Sequence, residues 1–365
     1  MKKTALNEWH RAQGGQMVEF GGWELPVSYS SLSEEHHAVR RQAGLFDISH
    51  MGQIEARGAS ALDFLQSLTS NDVSRLQAGQ MQYSTLPAPD GTLLDDIIVS
   101  KIGEGRYFVV VNAANAESDF AWMRQNSGRF PDLQLEFLPR AMFALQGPAS
   151  QAILAGLTGA GLDALKYYHL AEARVAGAET LLSRSGYTGE DGFEICLGNA
   201  DAPAVWEALM EAGKAAGLRA IGLGARNTLR LEMGYALYGH EIDRTTHPLE
   251  AGLGWVVKLD KGAFTGREAL LAARAAAPRR ALVGFEMQDK GIGRDGYAVV
   301  DGRGQALGRV TSGAPSPTLG RAIGMAYVPA DLAKPGCEIL VQVRERALRA
   351  RVVPRPFVPP KVRKN

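Results

Sequence analysis

Gln82-Tyr83, Pro89-Asp90-Gly91, Leu94-Asp95-Asp96-Ile97-Ile98-Val99, Gly103-Glu104-Gly105 and Arg106-Tyr107-Phe108-Val109-Val110-Val111-Asn112 follow one another along a single stretch of the chain. Apolar β-type runs separated by Gly-, Pro- and Asp-containing turns read as a hairpin. One of those runs carries two adjacent carboxylates. Side chains of a strand alternate faces, so Asp95 and Asp96 point opposite ways, and at least one is driven toward whatever Ile97 or Ile98 buries itself against. Burying an ionised carboxylate costs several kcal/mol unless it is paired, hydrogen-bonded or partly solvated. The residues alone leave two readings open: a polar cavity that supplies partners, or a solvated acid at the mouth of a hairpin.

Around this stretch lies a chain of 365 residues, 45% hydrophobic and 22% charged, which is the composition of an ordinary soluble enzyme with two or three cores. No window approaches the ~18 to 20 uninterrupted apolar residues of a bilayer span. Lys2-Lys3 lead into polar residues rather than an apolar signal core, so a cytoplasmic protein is expected. The two cysteines, Cys196 and Cys337, sit among β-type residues as small fillers and offer no metal-ligand spacing. A formal charge of +1 gives no net field favouring nucleic acid. The locally basic Lys361, Arg363 and Lys364 read as a frayed, solvated terminus.

The rest of the chain alternates helical and strand-like segments without a fixed-period repeat, which favours an α+β class over a solenoid or propeller. Ser31 and Glu34 have capping-box spacing for a helix that Gly44 terminates. Ala61 to Leu68 forms a second helix with one apolar face. Asn115 caps a helix through Phe120 and Met123, and Asp201 with Pro203 opens another. The alanine-rich Arg267 to Ala277 connects to a different grammar. Short β-type runs follow (Ala281 to Met287, Tyr297 to Val300, Ala306 to Val310, Ala322 to Tyr327, Glu338 to Val343 and Leu348 to Val353), which together read as a small barrel or sandwich.

Two further stretches carry chemistry. In Arg184-Ser185-Gly186-Tyr187-Thr188-Gly189-Glu190-Asp191-Gly192-Phe193-Glu194-Ile195 the glycines permit close backbone approach. Alternation sets Glu194 opposite its apolar neighbours, a pattern that by itself reads as a solvated strand face. In Gly222 to Gly234, Arg226 and Arg230 lie one helical turn apart and repel unless an anion or carboxylate lies opposite. Arg226 facing Glu194 or a ligand carboxylate suits the planar fork of a guanidinium, and a purely structural bridge is the competing reading. His36, His37 and His50 read as structural, His50 as a donor to Asp47. Phe20, Trp23 and Trp255, judged alone, read as core aromatics.

Taken together, these stretches resemble the glycine cleavage T-protein family, the aminomethyltransferases. The resemblance runs from Gly14-Gly15-Gln16-Met17-Val18-Glu19-Phe20-Gly21-Gly22-Trp23 through Phe46-Asp47-Ile48-Ser49-His50-Met51, Leu94-Asp95-Asp96, Leu145-Gln146-Gly147-Pro148, Gly186 to Gly192 and Leu229-Arg230-Leu231-Glu232. It ends at Thr311-Ser312-Gly313-Ala314-Pro315-Ser316-Pro317 and Gly324-Met325-Ala326-Tyr327-Val328-Pro329. It implies a three-lobed α+β fold in which residues 1–276 form two interleaved α+β subdomains, one related to the folate-binding fold, and 277–365 form a β-barrel around a central channel. It implies an enzyme that takes the methylene of an aminomethyl group from the dihydrolipoyl arm of the H-protein carrier to tetrahydrofolate, giving 5,10-methylenetetrahydrofolate, ammonia and dihydrolipoyl carrier. Neither a metal nor a covalently bound cofactor is implied, nor is a nucleic-acid or membrane partner. The expected state is a monomer in transient complexes.

Position by position, Asp96 and not Asp95 matches the catalytic carboxylate beside the pterin N5 and N10. Glu194 matches the residue that accepts from the amino-pyrimidine edge, and Arg226 a folate-contacting arginine. Tyr83, Met51, Asn112, Tyr187 and Trp255 match positions lining the pterin or aminobenzoyl rings. Asn227 departs from the family's usual aspartate after the arginine, and Val362 stands where many members have a late tyrosine; both departures bear on folate affinity. Two related readings differ. A sister folate-dependent demethylase would act on a methylated amine or sulfonium, and the intact Leu94-Asp95-Asp96 without a fused flavin region favours the lipoyl-linked donor. A non-enzymatic folate-binding scaffold for iron-sulfur assembly would carry a Lys-Gly-Cys signature, where Arg184-Ser185-Gly186-Tyr187 stands instead.

Overall fold

In a computed structural model, which describes residues 1–363, the hairpin predicted around Asp95 and Asp96 is the middle of an eleven-stranded sheet. Strands Gln80–Pro87, Leu93–Gly103 and Arg106–Val111 pair antiparallel, and Gly52–Arg57 and Gln134–Phe137 complete one half. The other half runs Arg219–Ala220, Gly44–Asp47, Arg140–Gln146, Gly192–Gly198, Ala178–Arg184 and His169–Val175. The chain enters this half at residue 44, leaves for the first half over 52–137, and returns at 140. That path is the interleaving expected of the fold. The halves join through a single register pair, His169 with Gln80, so the sheet curls there.

Each half is backed by helices on its outer face. Phe143, Leu145, Leu182, Phe193, Ile195 and Leu197 pack with Trp206 and Leu209 of the helix Ala202–Gly213. Ile97, Val99, Tyr107, Val109 and Val111 pack with Phe64, Leu65 and Met123 of the helices Ala61–Leu68 and Ala116–Gln125. Because strand side chains alternate, the intervening positions of both halves face inward across a shared space.

The C-terminal β-runs form a closed six-stranded barrel of Arg280–Met287, Ala298–Val300, Ala306–Ser316, Arg321–Pro329, Glu338–Val343 and Arg346–Val353. A buried polar cluster fastens it to the sheet. Glu232, at the end of the helix Leu223–Glu232, accepts from Arg40 Nη2 at 2.8 Å, Ser316 Oγ at 2.5 Å and Thr318 Oγ1 at 2.8 Å, with His36 Nε2 3.3 Å away. Arg40 Nη1 also donates to Glu190 at 3.0 Å. The cluster therefore joins the first long helix, the 188–190 loop and the barrel turn at 316–318.

Several local expectations change. Ser31 caps its helix by accepting from the Glu34 amide, but Glu34 pairs with Arg219 instead of returning to Ser31. That helix ends at Arg41, and Gly44 opens a strand. Asn115 and Asp201 precede their helices without side-chain capping bonds. Phe20 and Trp23 are half-buried rather than core. Within the tail, Lys361 Nζ lies 3.4 Å from Glu190 and Arg363 Nη1 lies 2.8 Å from Asp163, so these residues are paired, not frayed; Lys364 lies outside the described residues.

Burial alone would lift the Glu232 carboxyl, but the hydrogen bond and charge of His36, then Ser316 and Arg40, hold it down at about 2. A folded-state value below the ordinary 4.5 means protons favour the unfolded chain, so this stabilisation is complete above pH 4.5 and is lost as pH falls toward 2. Glu232→Gln should lower unfolding free energy near neutrality by about 3 kcal/mol, the scale of breaking a buried ion pair. Urea midpoints of variant and parent should then converge as the pH is lowered through the acid range.

Candidate active site

The inward-facing positions of the two half-sheets enclose a cavity of about 900 Å³. It is lined at alternating residues: Asp96, Ile98 and Ser100; Phe108 and Val110; Met142, Ala144 and Gln146; Leu181 and Ser183; Glu194 and Cys196. Barrel-following residues Pro354, Arg355 and Pro356 complete the wall. All eight sequence-predicted site residues (Asp96, Glu194, Arg226, Tyr83, Met51, Asn112, Tyr187 and Trp255) line this one cavity. Volume and mostly apolar lining suit a small organic molecule.

Asp95 and Asp96 do point to opposite faces, and neither is a solvated acid. Asp95 is fully buried on the helix-backed side, whereas Asp96 faces the cavity. Asn112, at the end of the neighbouring strand, bridges them: its Nδ2 donates to Asp95 Oδ1 at 2.9 Å and Asp96 Oδ1 at 2.7 Å, while its backbone N–H donates to Asp95 Oδ2 at 2.8 Å. Tyr83 Oη donates to Asp96 Oδ2 at 2.9 Å. Burial, and then the charge of Asp95, push Asp96 up to about 7 against these donors. A carboxyl in that range exchanges protons near neutral pH.

Glu194 is not on a solvated face. It lines the cavity, accepts from Ser185 Oγ at 2.5 Å, and burial raises its carboxyl above the ordinary value. The loop that precedes it is pinned by buried Arg184, whose Nε donates to Asp191 at 2.9 Å and Nη2 to Gln151 at 2.8 Å. Gly186 is required there, since a Cβ would meet Gln146 Oε1 at 1.9 Å.

The two arginines take separate roles. Arg230 turns to buried Glu241 at 2.7 Å and to Ser312 of the barrel at 2.7 Å. Arg226 makes no ion pair among the described residues, with Glu194 or any other acid; its guanidinium lies over the Tyr187 ring at 4.6 Å. Asn227 accepts from Arg230 Nε at 2.8 Å, so the departure at this position bears on Arg230 and not on Arg226. Trp255 is not core. It is 61% exposed and stacks on Tyr83 at 5.8 Å, with planes inclined by 19°. His50 is buried but does not donate to Asp47, which pairs with His10 at 2.9 Å; among the described residues neither His50 ring nitrogen has a partner.

Sequence reading missed Asn115 and Asp119 behind the site. Asn115 Nδ2 donates to Asp95 Oδ1 at 2.8 Å, and its side chain makes no capping bond to its helix. Its i, i+4 spacing to Asp119 on a helix facing an acidic strand was the available signal.

A cavity with unpaired Arg226, half-satisfied Glu194 and aromatic walls fits a flat, N–H-rich acid such as a reduced folate. The matches with other proteins are consistent with that fit. A family model described as the GCVT N-terminal domain matches residues 6–261, and one described as the glycine cleavage T-protein C-terminal barrel domain matches 280–359. The chain is 50% identical over 358 residues to the aminomethyltransferase of Halothermothrix orenii, covering 98% of this chain and 100% of that one. It is also 50% identical over 365 residues to that of Symbiobacterium thermophilum, covering 98% and 97%. The crystal structure of glycine cleavage system aminomethyltransferase T from Bartonella henselae aligns with a TM-score of 0.94 at 36% identity, covering 100% of this chain and 99% of that one. Fold and site thus define an enzyme of the folate-dependent transferase class. Within that class, the chain belongs to the glycine cleavage T-protein family.

The Tyr83 hydroxyl favours the ionised form of Asp96. Tyr83→Phe should therefore move the Asp96 titration upward by about one unit or more, given that hydrogen bonds to charged groups are worth about 1.5 to 3 kcal/mol. Carboxyl ¹³C chemical shifts followed against pH check this.

Proposed function

We propose that the chain acts in a glycine cleavage system: it accepts an aminomethyl group carried on the dihydrolipoyl arm of H-protein, releases ammonia, and passes the methylene to tetrahydrofolate as 5,10-methylenetetrahydrofolate. The observation that carries this reading is the cavity-facing carboxylate of Asp96, held by Asn112 and Tyr83 and lifted to about 7 in a mostly apolar space. Tetrahydrofolate, when bound, supplies the N5 and N10 nitrogens that take the one-carbon unit. Asp96 orients the acceptor nitrogen, takes up its proton, and offsets the positive charge that develops at the migrating carbon as ammonia departs. Its titration range lets the carboxylate do this at neutral pH and hold the proton afterwards.

Glu194, with one protein donor and free accepting capacity, takes the amino-pyrimidine N–H groups of the pterin. Arg226, fixed over Tyr187 and without an acid partner, meets polar oxygens of the folate. Met51, Asn112, Tyr83, Tyr187 and Trp255 flank the rings, and the mostly apolar wall limits water at the activated carbon. We assign residues 1–276 to the folate-binding region and 277–365 to the barrel, with the helix Arg267–Ala276 as the connection. Among the described residues no helix is long and apolar enough to cross a membrane. We place the enzyme in the cytoplasm as a monomer that meets its carrier transiently.

The test is ammonia release from aminomethylated carrier with tetrahydrofolate, compared with carrier alone and with methylated sulfonium donors. Asp96→Asn should fold and bind folate but lose at least about 100-fold in kcat, the usual scale for a general acid–base group, while Asp95→Asn should be milder. Glu194→Ala should raise the tetrahydrofolate Kd by about 10-fold or more. Near-normal turnover in both aspartate variants, or an unchanged Kd in the glutamate variant, would reject the corresponding role.

A further inference from the structure

Behind the Asp95–Asn112–Asp96 bridge lies a third carboxyl that the reaction as described does not use. Asp119, on the helix Ala116–Gln125, is 1% exposed, and among the described residues no N–H or O–H group donates to either of its oxygens. Its carboxyl lies against that of Asp95, within hydrogen-bonding reach if one of the two carries a proton. None of Asp95, Asp96 and Asp119 makes an ion pair among the described residues. Two buried carboxylates in contact without a cation cannot both be ionised, so one must hold a proton.

The donors decide which. Asp95 receives three N–H bonds, from the Asn112 backbone, Asn112 Nδ2 and Asn115 Nδ2, all of which favour its charged form. Asp119 receives none. We propose that Asp119 is a positioning residue for the transfer reaction: as a neutral acid it donates to Asp95, keeps Asp95 ionised, and so sets the pH at which Asp96 across Asn112 gains or loses its proton. This deepens the function proposed above and rests on it.

The electrostatics agree with the geometry. Burial, followed by the charge of Asp95, holds the Asp119 proton up to about 10. Burial also lifts Asp95, and the contact with Asp119 is foremost among the interactions that oppose this, ahead of Asn112 and Asn115. The charged and titratable groups facing the chain of acids are few. Arg244, on an exposed loop, weakens the hold of Asp119 on its proton, and Tyr238 faces Asp95 and Asp119. Tyr83 donates to Asp96, and Tyr168, Tyr187 and Arg226 face Asp96 across the cavity.

The experiment compares the pH dependence of kcat for the full chain and for Asp119→Asn and Asp119→Leu, with aminomethylated carrier and tetrahydrofolate. Asp119→Asn keeps an N–H donor toward Asp95 and should leave the acid limb where the parent has it. Asp119→Leu removes the donor, lets Asp95 take a proton, and should move the limb to lower pH by about one unit, the scale of losing a neighbouring like charge. Infrared difference spectra of ligand-free parent minus Asp119→Asn, taken about two pH units above the Asp96 midpoint, should contain the C=O band of a protonated carboxyl. An unmoved limb in Asp119→Leu, or a difference spectrum holding only carboxylate bands, would overturn the proposal. Should Asp119→Leu not fold, the infrared result decides. A parent that releases no ammonia would instead reject the proposed function, and the infrared band would still report on Asp119.

Discussion

One side-chain amide organises the site. Asn112 Nδ2 reaches Asp95 Oδ1 and Asp96 Oδ1 at once, although strand alternation sends the two carboxylates to opposite faces of the sheet. Without that bridge, two neighbouring acids removed from water would sit in a β-sheet with no cation to pair them, an arrangement costing several kcal/mol. With it, Asp95 accepts two N–H groups of Asn112 on the helix side and Asp96 is presented to the cavity in a state that titrates near neutrality. The hairpin sequence makes this possible, because Asn112 directly follows the strand Arg106–Val111 beside the residues it must reach.

The rest of the architecture serves to place a second set of groups opposite that carboxylate. The half-sheet bearing Glu194 and the half-sheet bearing Asp96 each spend one face on a helix-backed core and the other on the shared cavity. The helix Leu223–Glu232 contributes Arg226 to the wall, while its last residue anchors the barrel through Arg40, His36, Ser316 and Thr318. Cavity shape and barrel docking therefore depend on the same helix. The barrel closes the cavity through the segment that follows it, where Pro354, Arg355 and Pro356 join the lining.

Much of this was legible in the sequence, for reasons that can be named. Alternation in Leu94 to Val99 correctly separated Asp95 from Asp96, and the six β-runs after residue 280 match the strands that close into the barrel. Alternation could not say whether a polar face looks at solvent or at a cavity, which is why Glu194 read as a solvated acid until the family resemblance and then the fold placed it inside. Trp255 failed in the other direction: an aromatic judged alone reads as core, but this one is exposed and stacked on Tyr83. Cap rules misled at Asn115 because its side chain is turned toward the buried Asp95, to which its Nδ2 donates, and not toward the helix N–H groups. His50 was assigned the wrong partner, because its neighbour Asp47 pairs with His10 from a distant element.

The central claim is that Asp96 is held, by Asn112 and Tyr83, against the nitrogens that receive the one-carbon unit. A crystal structure of the chain with tetrahydrofolate bound tests it most directly. The pteridine should lie inside the cavity, with a carboxyl oxygen of Asp96 at hydrogen-bond distance from N5 or N10 and the Asn112 bridge intact. A folate seated elsewhere, or an Asp96 side chain rotated away from the ring into open solvent, would contradict it.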